Sequence, residues 1–304
     1  LVRSQSSGHD ILRTRLNAEV RSSRWSLSRA KSRDSNNNDF VHKSETLHKL
    51  TFGRAIFIDS SNLEEIKRWN ATGIIDGVTT NQMIMLKDGL KPKDYEKVVK
   101  AICREMKGKP VSVELTDSQA SAEKMIQEAR RLNGIAENIV VKVPLIPNTT
   151  KSLEVIKELI KANISVNVTL MMTFEQMVMA ILAVRYSKKV SFVSLFWGRS
   201  IEDQAKYRSR SDFMAQFPRV GLDSPINREP KNIIEEATKF IKEGGYDNIK
   251  IIAGSIRTAV MVGEAFAASA HIVTVSPDTL LAMLFSQRTI ETAAQFDEAW
   301  KKLQ

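Results

Sequence analysis

From Ala55 to the end of this chain, eight short apolar runs alternate with segments of helical periodicity. The runs lie at Ala55–Asp59, Gly73–Asn81, Lys109–Leu115, Asn138–Pro144, Ile164–Thr169, Val190–Phe196, Ile249–Ala253 and Ile272–Val275. Short runs rich in β-branched residues are the mark of strands buried on both faces, as in a parallel sheet. Eight of them, each followed by a helix, suit an α/β fold of the (β/α)8 barrel type. A doubly wound open sheet is the alternative. Against it, no run is followed by G-x-G-x-x-G or by G-x-x-x-x-G-K-[ST], the loops that hold dinucleotides and phosphates in such sheets. In a barrel the active site lies at the C-terminal ends of the strands.

The fourth run, Asn138-Ile-Val-Val-Lys-Val-Pro144, carries a lysine near its C-terminal end. Pro144 cannot donate to a ladder, so the strand is expected to stop there. A lysine so placed has two readings. Its stem can pack while its ammonium reaches water. Alternatively, partial burial lowers its pKa and frees the amine to attack a carbonyl. The neighbouring strand ends decide between them. Polar groups gather there: Asp59, Asn81, Glu114, Asn167, Thr169, Ser194, Arg199, Ser255 and Arg257. Singly each has a structural explanation: Asp59 as a helix cap, Thr169 as a strand former, Arg199 as the ion-pair partner of Glu202 or Asp203. Gathered at one rim around a buried lysine they are hard to treat as chance. An amine with two carboxylates is the equipment for imine chemistry on a carbonyl substrate, in which the protonated imine draws electrons from a breaking carbon–carbon bond. Arg199, Ser255 and Arg257 resemble a phosphate clamp, with guanidinium forks and a helix start beside them.

Composition narrows the field. The chain has 304 residues, 42% of them hydrophobic, enough to bury a large core. The net charge of +10 suggests nucleic acid, but residues 1–54 hold 11 Lys and Arg against 5 Asp and Glu, so the remaining 250 residues carry only +4. That leading segment is rich in Ser, Arg and Asn and is expected to be a disordered basic leader, with the barrel over 55–304. Five acids count against a transit peptide, and a start at Leu1 suggests a trimmed or misassigned beginning. Three of the four histidines, His9, His42 and His48, fall in the leader. Only His271 remains, in a strand-like context, so a histidine-built zinc site or a Ser-His-Asp triad is not expected. One cysteine, Cys103, rules out an internal disulfide and fits a reducing compartment, the cytoplasm. No run is long enough to span a membrane. The methionines of the 174–186 segment are expected as core filler. Residues 203–230 are expected to form a loop with a broken helix.

Seven motifs together give a resemblance. They are Phe57-Ile-Asp59, Gly77-Val-Thr-Thr-Asn81, Val140-Val-Lys-Val-Pro144, Asn167-Val-Thr169, Ser194-Leu-Phe-Trp-Gly-Arg199, Ser255-Ile-Arg257 and Thr274-Val-Ser-Pro277. Each is short, but in this order and spacing they resemble the transaldolase family, which includes the fructose-6-phosphate aldolases. The resemblance covers Ala55–Gln304. It implies a class I aldolase-type barrel, circularly permuted, with no cofactor and no metal. It implies that Lys142 is the Schiff-base lysine and that Asp59 takes and returns the proton of the substrate hydroxyl. Glu114 and Thr169 would hold a catalytic water. Asn81, Asn167 and Ser194 would bind the dihydroxyacetone moiety, and Arg199, Ser255 and Arg257 the phosphate.

Two positions separate the branches. The aldolases resemble a Gln/Tyr pattern where this chain has Glu114 and Phe196. A tyrosine hydroxyl would help protonate the enamine and release it as a ketone; a phenylalanine leaves the enamine waiting for an acceptor aldehyde. That favours a transferase of the pentose phosphate pathway, moving dihydroxyacetone from sedoheptulose 7-phosphate or fructose 6-phosphate to glyceraldehyde 3-phosphate or erythrose 4-phosphate. The alternatives are a fructose-6-phosphate aldolase and a non-catalytic sugar-phosphate or RNA-binding protein with a basic tail. Phosphorylated sugars and a homo-oligomer are the partners expected, with no membrane and no nucleic acid. The chain departs from the family pattern at Gln82-Met83, where Pro-Ser is usual, and at Ile146, where Thr is common.

Overall fold

The computed structural model describes residues 53–147, 149–208 and 229–304, with side chains up to Glu202 in the middle segment. All eight expected strands form: β1 (Ala55–Asp59), β2 (Ile75–Thr79), β3 (Val111–Glu114), β4 (Ile139–Pro144), β5 (Val166–Met171), β6 (Ser191–Phe196), β7 (Ile249–Gly254) and β8 (Ile272–Val275). Each pairs in parallel with the next, and β8 pairs with β1, so the sheet closes into a barrel. Closure removes the two free edges that an open sheet would leave. The expected leader lies outside the described residues except for Gly53 and Arg54, and so do most of the residues expected in the 203–230 loop.

The period-2 alternation of each strand sorts its side chains between two environments. One set, including Ile58, Val78, Val141, Val168, Val193, Ile251 and Val273, packs outward into a single core with the helices. Fully burying each such side chain contributes roughly 1.5–3 kcal/mol. The other set points into the barrel. Ala55, Phe57, Val140, Phe192, Ile252 and Ile272 form a separate apolar cluster there. Phe57 and Phe192 meet edge to face with centroids 6.0 Å apart. One step further along the same parity come Asp59, Lys142, Ser194 and Thr274. The apolar plug is thus the floor, and the polar residues stand on it at the C-terminal end.

The helices follow the amphipathic pattern of the sequence, with several ends set by polar caps. Asn62 caps the helix Leu63–Ala71, its Oδ1 accepting from the Glu64 and Glu65 amides at 3.0 and 3.3 Å. Neither Ser60 nor Ser61, the serines just before it, caps this helix. Ser61 is instead bound to Asp88, donating from both Oγ (2.7 Å) and N (2.9 Å), and Ser60 Oγ accepts from the Asn62 amide. Ser276 caps Pro277–Met283, as its place before proline suggests. Two boundaries extend beyond expectation. Strand β5 continues to Met171 through Leu170, which has φ +67° at a break in the β5–β6 register. A helix runs over Trp197–Arg208, into the stretch expected to be irregular.

Cys103 is buried, and burial pushes its thiol up to about 12. Met177 is core, whereas Met179 is exposed. His271 is not a base. Its Nδ1 accepts from the Ile251 amide at 3.1 Å, and burial, with Lys250 and Arg54 nearby, lowers its pKa to about 4. Among the described residues no helix is long and apolar enough to cross a membrane.

Gly77 on β2 gives Phe57 its place in the floor. A Cβ added there would lie 2.6 Å from the Phe57 ring, which is fully buried and cannot swing away. Gly77→Ala is expected to destabilise the fold by about 1–3 kcal/mol through overpacking. Thermal unfolding should show a midpoint several degrees lower, and an unchanged midpoint would mean that the floor is looser than its geometry indicates.

Candidate active site

The barrel opens at the C-terminal ends of its strands into a cleft with an empty volume of about 630 Å³. Of the eleven residues singled out in the sequence, ten line it: Asp59, Asn81, Lys142, Asn167, Thr169, Ser194, Phe196, Arg199, Ser255 and Arg257. The eleventh, Glu114, lies beside Lys142, its directly paired neighbour across β3 and β4.

Lys142 is only 4% exposed. Its ammonium lies 3.0 Å from Glu114 Oε2 and donates to the Thr80 carbonyl at 3.0 Å. The approach to Oε2 is close but not aligned as a hydrogen bond, so that oxygen keeps capacity to accept another. A lysine that merely snorkelled would put its nitrogen in water; this one stays inside.

Asp59 ends β1. Its Oδ1 accepts from Thr79 Oγ1 at 2.7 Å. Burial raises the carboxyl above its ordinary value of 3.8; Lys142 and the Thr79 hydroxyl oppose the rise, Glu114 adds to it, and Arg257 opposes it. Asn167 and Ser194 are held as a pair. Ser194 Oγ donates to Asn167 Oδ1 at 2.7 Å, and Asn167 Nδ2 donates to Ser112 Oγ at 3.2 Å. The Thr169 hydroxyl is buried with no hydrogen-bond partner among the described residues. Asn81 caps the helix Gln82–Lys87, its Oδ1 accepting from the Ile84 amide at 3.0 Å. The group it can offer a ligand is therefore its NH2.

The other end of the cleft is cationic. Arg199 and Arg257 are both exposed, with the Arg199 guanidinium 5.9 Å from the Phe196 ring centroid. Glu202, weighed in the sequence as a partner for Arg199, pairs instead with Arg257, Nε to Oε1 at 3.2 Å. Ser255 has φ +57°, and its buried Oγ has no hydrogen-bond partner among the described residues. A side chain in the left-handed region is uncommon and favours a special local role. Gly198 permits the arrangement: a Cβ there would lie 2.3 Å from the Ser255 carbonyl.

Five lining residues are given no site role by the sequence: Thr79, Met83, Ile84, Gly254 and Thr274. Thr79, Gly254 and Thr274 carry a usable signal, since each shares the inward parity of its strand. Met83 and Ile84 depend on how the Gln82–Lys87 helix is rotated, which no local pattern reveals. Two contacts lie where the chain departs from the family pattern. Gln82 Nε2 donates to the Leu115 carbonyl at 2.7 Å, tying the end of β2 to the end of β3. At Ile146 the loop after β4 is held by Ser152, whose Oγ accepts from the Ile146 amide (3.0 Å) and donates to the Pro144 carbonyl (2.7 Å).

Fold and cleft together define a (β/α)8-barrel protein with an amine-and-carboxylate pocket and a cationic end. Comparison with known proteins gives the family. The model described as Transaldolase/Fructose-6-phosphate aldolase matches residues 56–304. A "Probable transaldolase" of Streptococcus equi subsp. equi (strain 4047) is 35% identical over 228 residues, covering 75% of this chain and 88% of the relative. Another, of Thermoanaerobacter sp. (strain X514), is 34% identical over 246 residues, covering 81% and 96%. The chain belongs to the transaldolase/fructose-6-phosphate aldolase family. A solved structure described as a "putative phosphonomutase" from Burkholderia cenocepacia J2315 aligns with TM-score 0.50 over 85% of this chain and 98% of its own, at 10% identity, a likeness of fold alone.

The raised Asp59 pKa has a stability consequence of definite sign. Between 3.8 and the raised value the folded protein binds more protons than the unfolded chain, so this group's contribution falls as pH rises through that window. Above that window the ionised carboxylate is a net burden on the fold. Asp59→Asn is expected to unfold at a higher temperature than wild type at pH 7, with the gap narrowing toward pH 4. Melting curves at the two pH values check this; a variant less stable at pH 7 would contradict it.

Proposed function

We propose that this protein acts as a transaldolase, moving a dihydroxyacetone unit from a ketose phosphate to an aldose phosphate. The donors are sedoheptulose 7-phosphate or fructose 6-phosphate, and the acceptors glyceraldehyde 3-phosphate or erythrose 4-phosphate, in the pentose phosphate pathway. The observation that carries this reading is the Lys142 amine, buried beside Glu114 in the wall of a cleft that also holds Asp59 and ends in two arginines.

In this reading the ammonium proton passes to Glu114, and the neutral amine attacks the ketose carbonyl. Loss of water leaves a protonated imine. Asp59 removes the proton of the hydroxyl beyond the scissile bond; the carbon–carbon bond breaks, an aldehyde leaves, and its electron pair rests in the enamine. The enamine then attacks the acceptor aldehyde, Asp59 returns the proton to the new hydroxyl, and water hydrolyses the imine. Glu114 Oε2 and Thr169 Oγ1, both with hydrogen-bonding capacity to spare, suit the handling of that water. Asn81, Asn167 and Ser194 orient the dihydroxyacetone hydroxyls. Arg199, Ser255 and Arg257 hold the phosphate, with Arg257 drawn from Glu202 to the stronger anion. Phe196 contributes no hydroxyl to the cleft, which favours transfer over release of free dihydroxyacetone. The single buried thiol is compatible with a reducing, cytoplasmic setting.

Incubation with fructose 6-phosphate followed by borohydride should leave a dihydroxyacetone-sized adduct on Lys142, absent in Lys142→Ala. Adducts scattered over surface lysines would remove the imine mechanism. Cleavage of fructose 6-phosphate should depend on added acceptor in the wild type, and Phe196→Tyr should raise the acceptor-free rate. Rapid acceptor-free cleavage by wild type would point to the aldolase instead.

A homo-oligomer is part of the same proposal. The C-terminal helix Gln287–Leu303 buries none of its residues, yet presents Phe296, Trp300 and Leu303 at helical spacing, all exposed. A second copy covering that stripe would remove the exposed patch. Light scattering behind size exclusion should report more than one subunit, and Phe296→Asp with Trp300→Asp should reduce the mass. A monomeric wild type would overturn this part alone.

A further inference from the structure

Resting on the reading that Asp59 carries the substrate proton, we propose that Thr274 is a positioning residue for that step, acting through Thr79 to fix the Asp59 carboxylate. Thr274 belongs to a motif quoted for the family resemblance but carries no role in the function proposed above. It stands on β8, one neighbour of β1, while Thr79 stands on β2, the other neighbour. The register sets Thr79 directly across from Asp59, and Thr274 across from Phe57, one pleat lower. All three side chains point into the barrel and line the cleft.

Hydrogen-bond accounting fixes the direction of the chain. Thr79 Oγ1 donates to Asp59 Oδ1 at 2.7 Å, and lies 2.5 Å from Thr274 Oγ1. A hydroxyl has one proton to give. An ionised Asp59 can only accept, so Thr79 spends its proton there and must accept from Thr274. The donated bond from Thr274 polarises the Thr79 hydroxyl and strengthens its bond to the carboxylate. Thr274 is 5% exposed and Thr79 2%, so water competes poorly for either. When Asp59 takes the substrate proton, the order reverses. Asp59 can then donate to Thr79 and Thr79 to Thr274. The same three oxygens thus satisfy both protonation states without moving, and no proton leaves the chain.

The charged groups around Asp59 are Lys142 on β4, Glu114 on β3 and Arg257 after β7, and the Thr274 substitution leaves all three in place. Removing the Thr274 hydroxyl lets Thr79 turn its proton elsewhere, weakens the bond that favours the carboxylate, and so raises the Asp59 midpoint.

The test is an infrared titration of the substrate-free protein, read as the difference from Asp59→Asn so that only the Asp59 carboxyl contributes. Thr274→Val keeps the shape and loses the donor. Its midpoint is expected to rise by roughly 0.3–1 pH unit over wild type, and Thr274→Ser is expected to restore it. In turnover, the acid limb of kcat/KM should move the same way, with kcat down about 3–10-fold and KM for the sugar phosphate changed far less. A packing role alone would lower the melting temperature without moving the midpoint. An unchanged midpoint in a folded Thr274→Val protein would overturn the proposal, and Thr274→Ala serves identically where the valine variant does not fold. The infrared readout needs no turnover. Absence of transaldolase activity in the wild type therefore counts against the function proposed above, and the position of the midpoint against Thr274.

Discussion

A buried ammonium persists only where fixed partners offset the water it has lost, and the pairing of Lys142 with Glu114 does this between adjacent strands. Direct register across β3 and β4 holds the carboxylate at 3.0 Å without a long flexible reach, while the Thr80 carbonyl supplies an aligned acceptor. Buried ion pairs often add little net stability, because desolvation cancels their attraction, yet breaking one costs about 3–5 kcal/mol. The pair therefore constrains its neighbourhood more than it strengthens the fold. Strands β3 and β4 must keep their register, and the end of β2 must present its carbonyl, or the charge is left alone.

That constraint explains the layering inside the barrel. Below the pair the interior is sealed by Phe57 and Phe192, with Gly77 leaving room for the first ring. Above it the same inward parity delivers mainly polar or small groups, Asp59, Thr79, Asn167, Ser194, Gly254 and Thr274, with Phe196 the aromatic exception. One parity of eight strands thus makes both a dry floor, which keeps water from reaching Lys142 from beneath, and the wall of a wet cleft. The opposite parity is apolar along its length because it meets the helices.

The legibility of the sequence follows the same division. Strands were readable because runs such as Ile139–Val141 are apolar on both faces, and local composition reports that directly. Lys142, Asp59 and Asn167 were readable because a charge or amide at the end of such a run is conspicuous. Thr79 and Thr274 are given no site role by the sequence, since threonine is an ordinary strand former and only inward parity distinguishes them. The partner of Glu202 could not be read at all. Arg199 is three residues away and Arg257 fifty-five, and closure of the barrel brings the distant one within 3.2 Å. The choice of cap for the helix Leu63–Ala71 is hidden for a similar reason, since Ser61, beside the cap Asn62, is claimed by Asp88 from another helix end.

The polar atoms left without partners mark where stability has been given up. Among the described residues, six buried side-chain polar atoms lack a hydrogen bond, and three of them, Glu114 Oε2, Thr169 Oγ1 and Ser255 Oγ, belong to residues of the candidate site. An unsatisfied buried hydroxyl costs about 1–3 kcal/mol, whereas Glu114 Oε2 still has the Lys142 ammonium 3.0 Å away; the burial that raises the Asp59 pKa adds to the burden once that carboxyl is ionised. The floor beneath the site, with Phe57, Phe192, Ile252 and Ile272, is apolar and buried, so the three unpartnered atoms at the site do not reflect a loose barrel interior. A ligand bearing hydroxyls along its length and an anion at its end would satisfy such atoms as it binds, and the fold holds them in position beforehand because β3 and β5 are each locked to two neighbours and Ser255 directly follows β7, which is locked likewise.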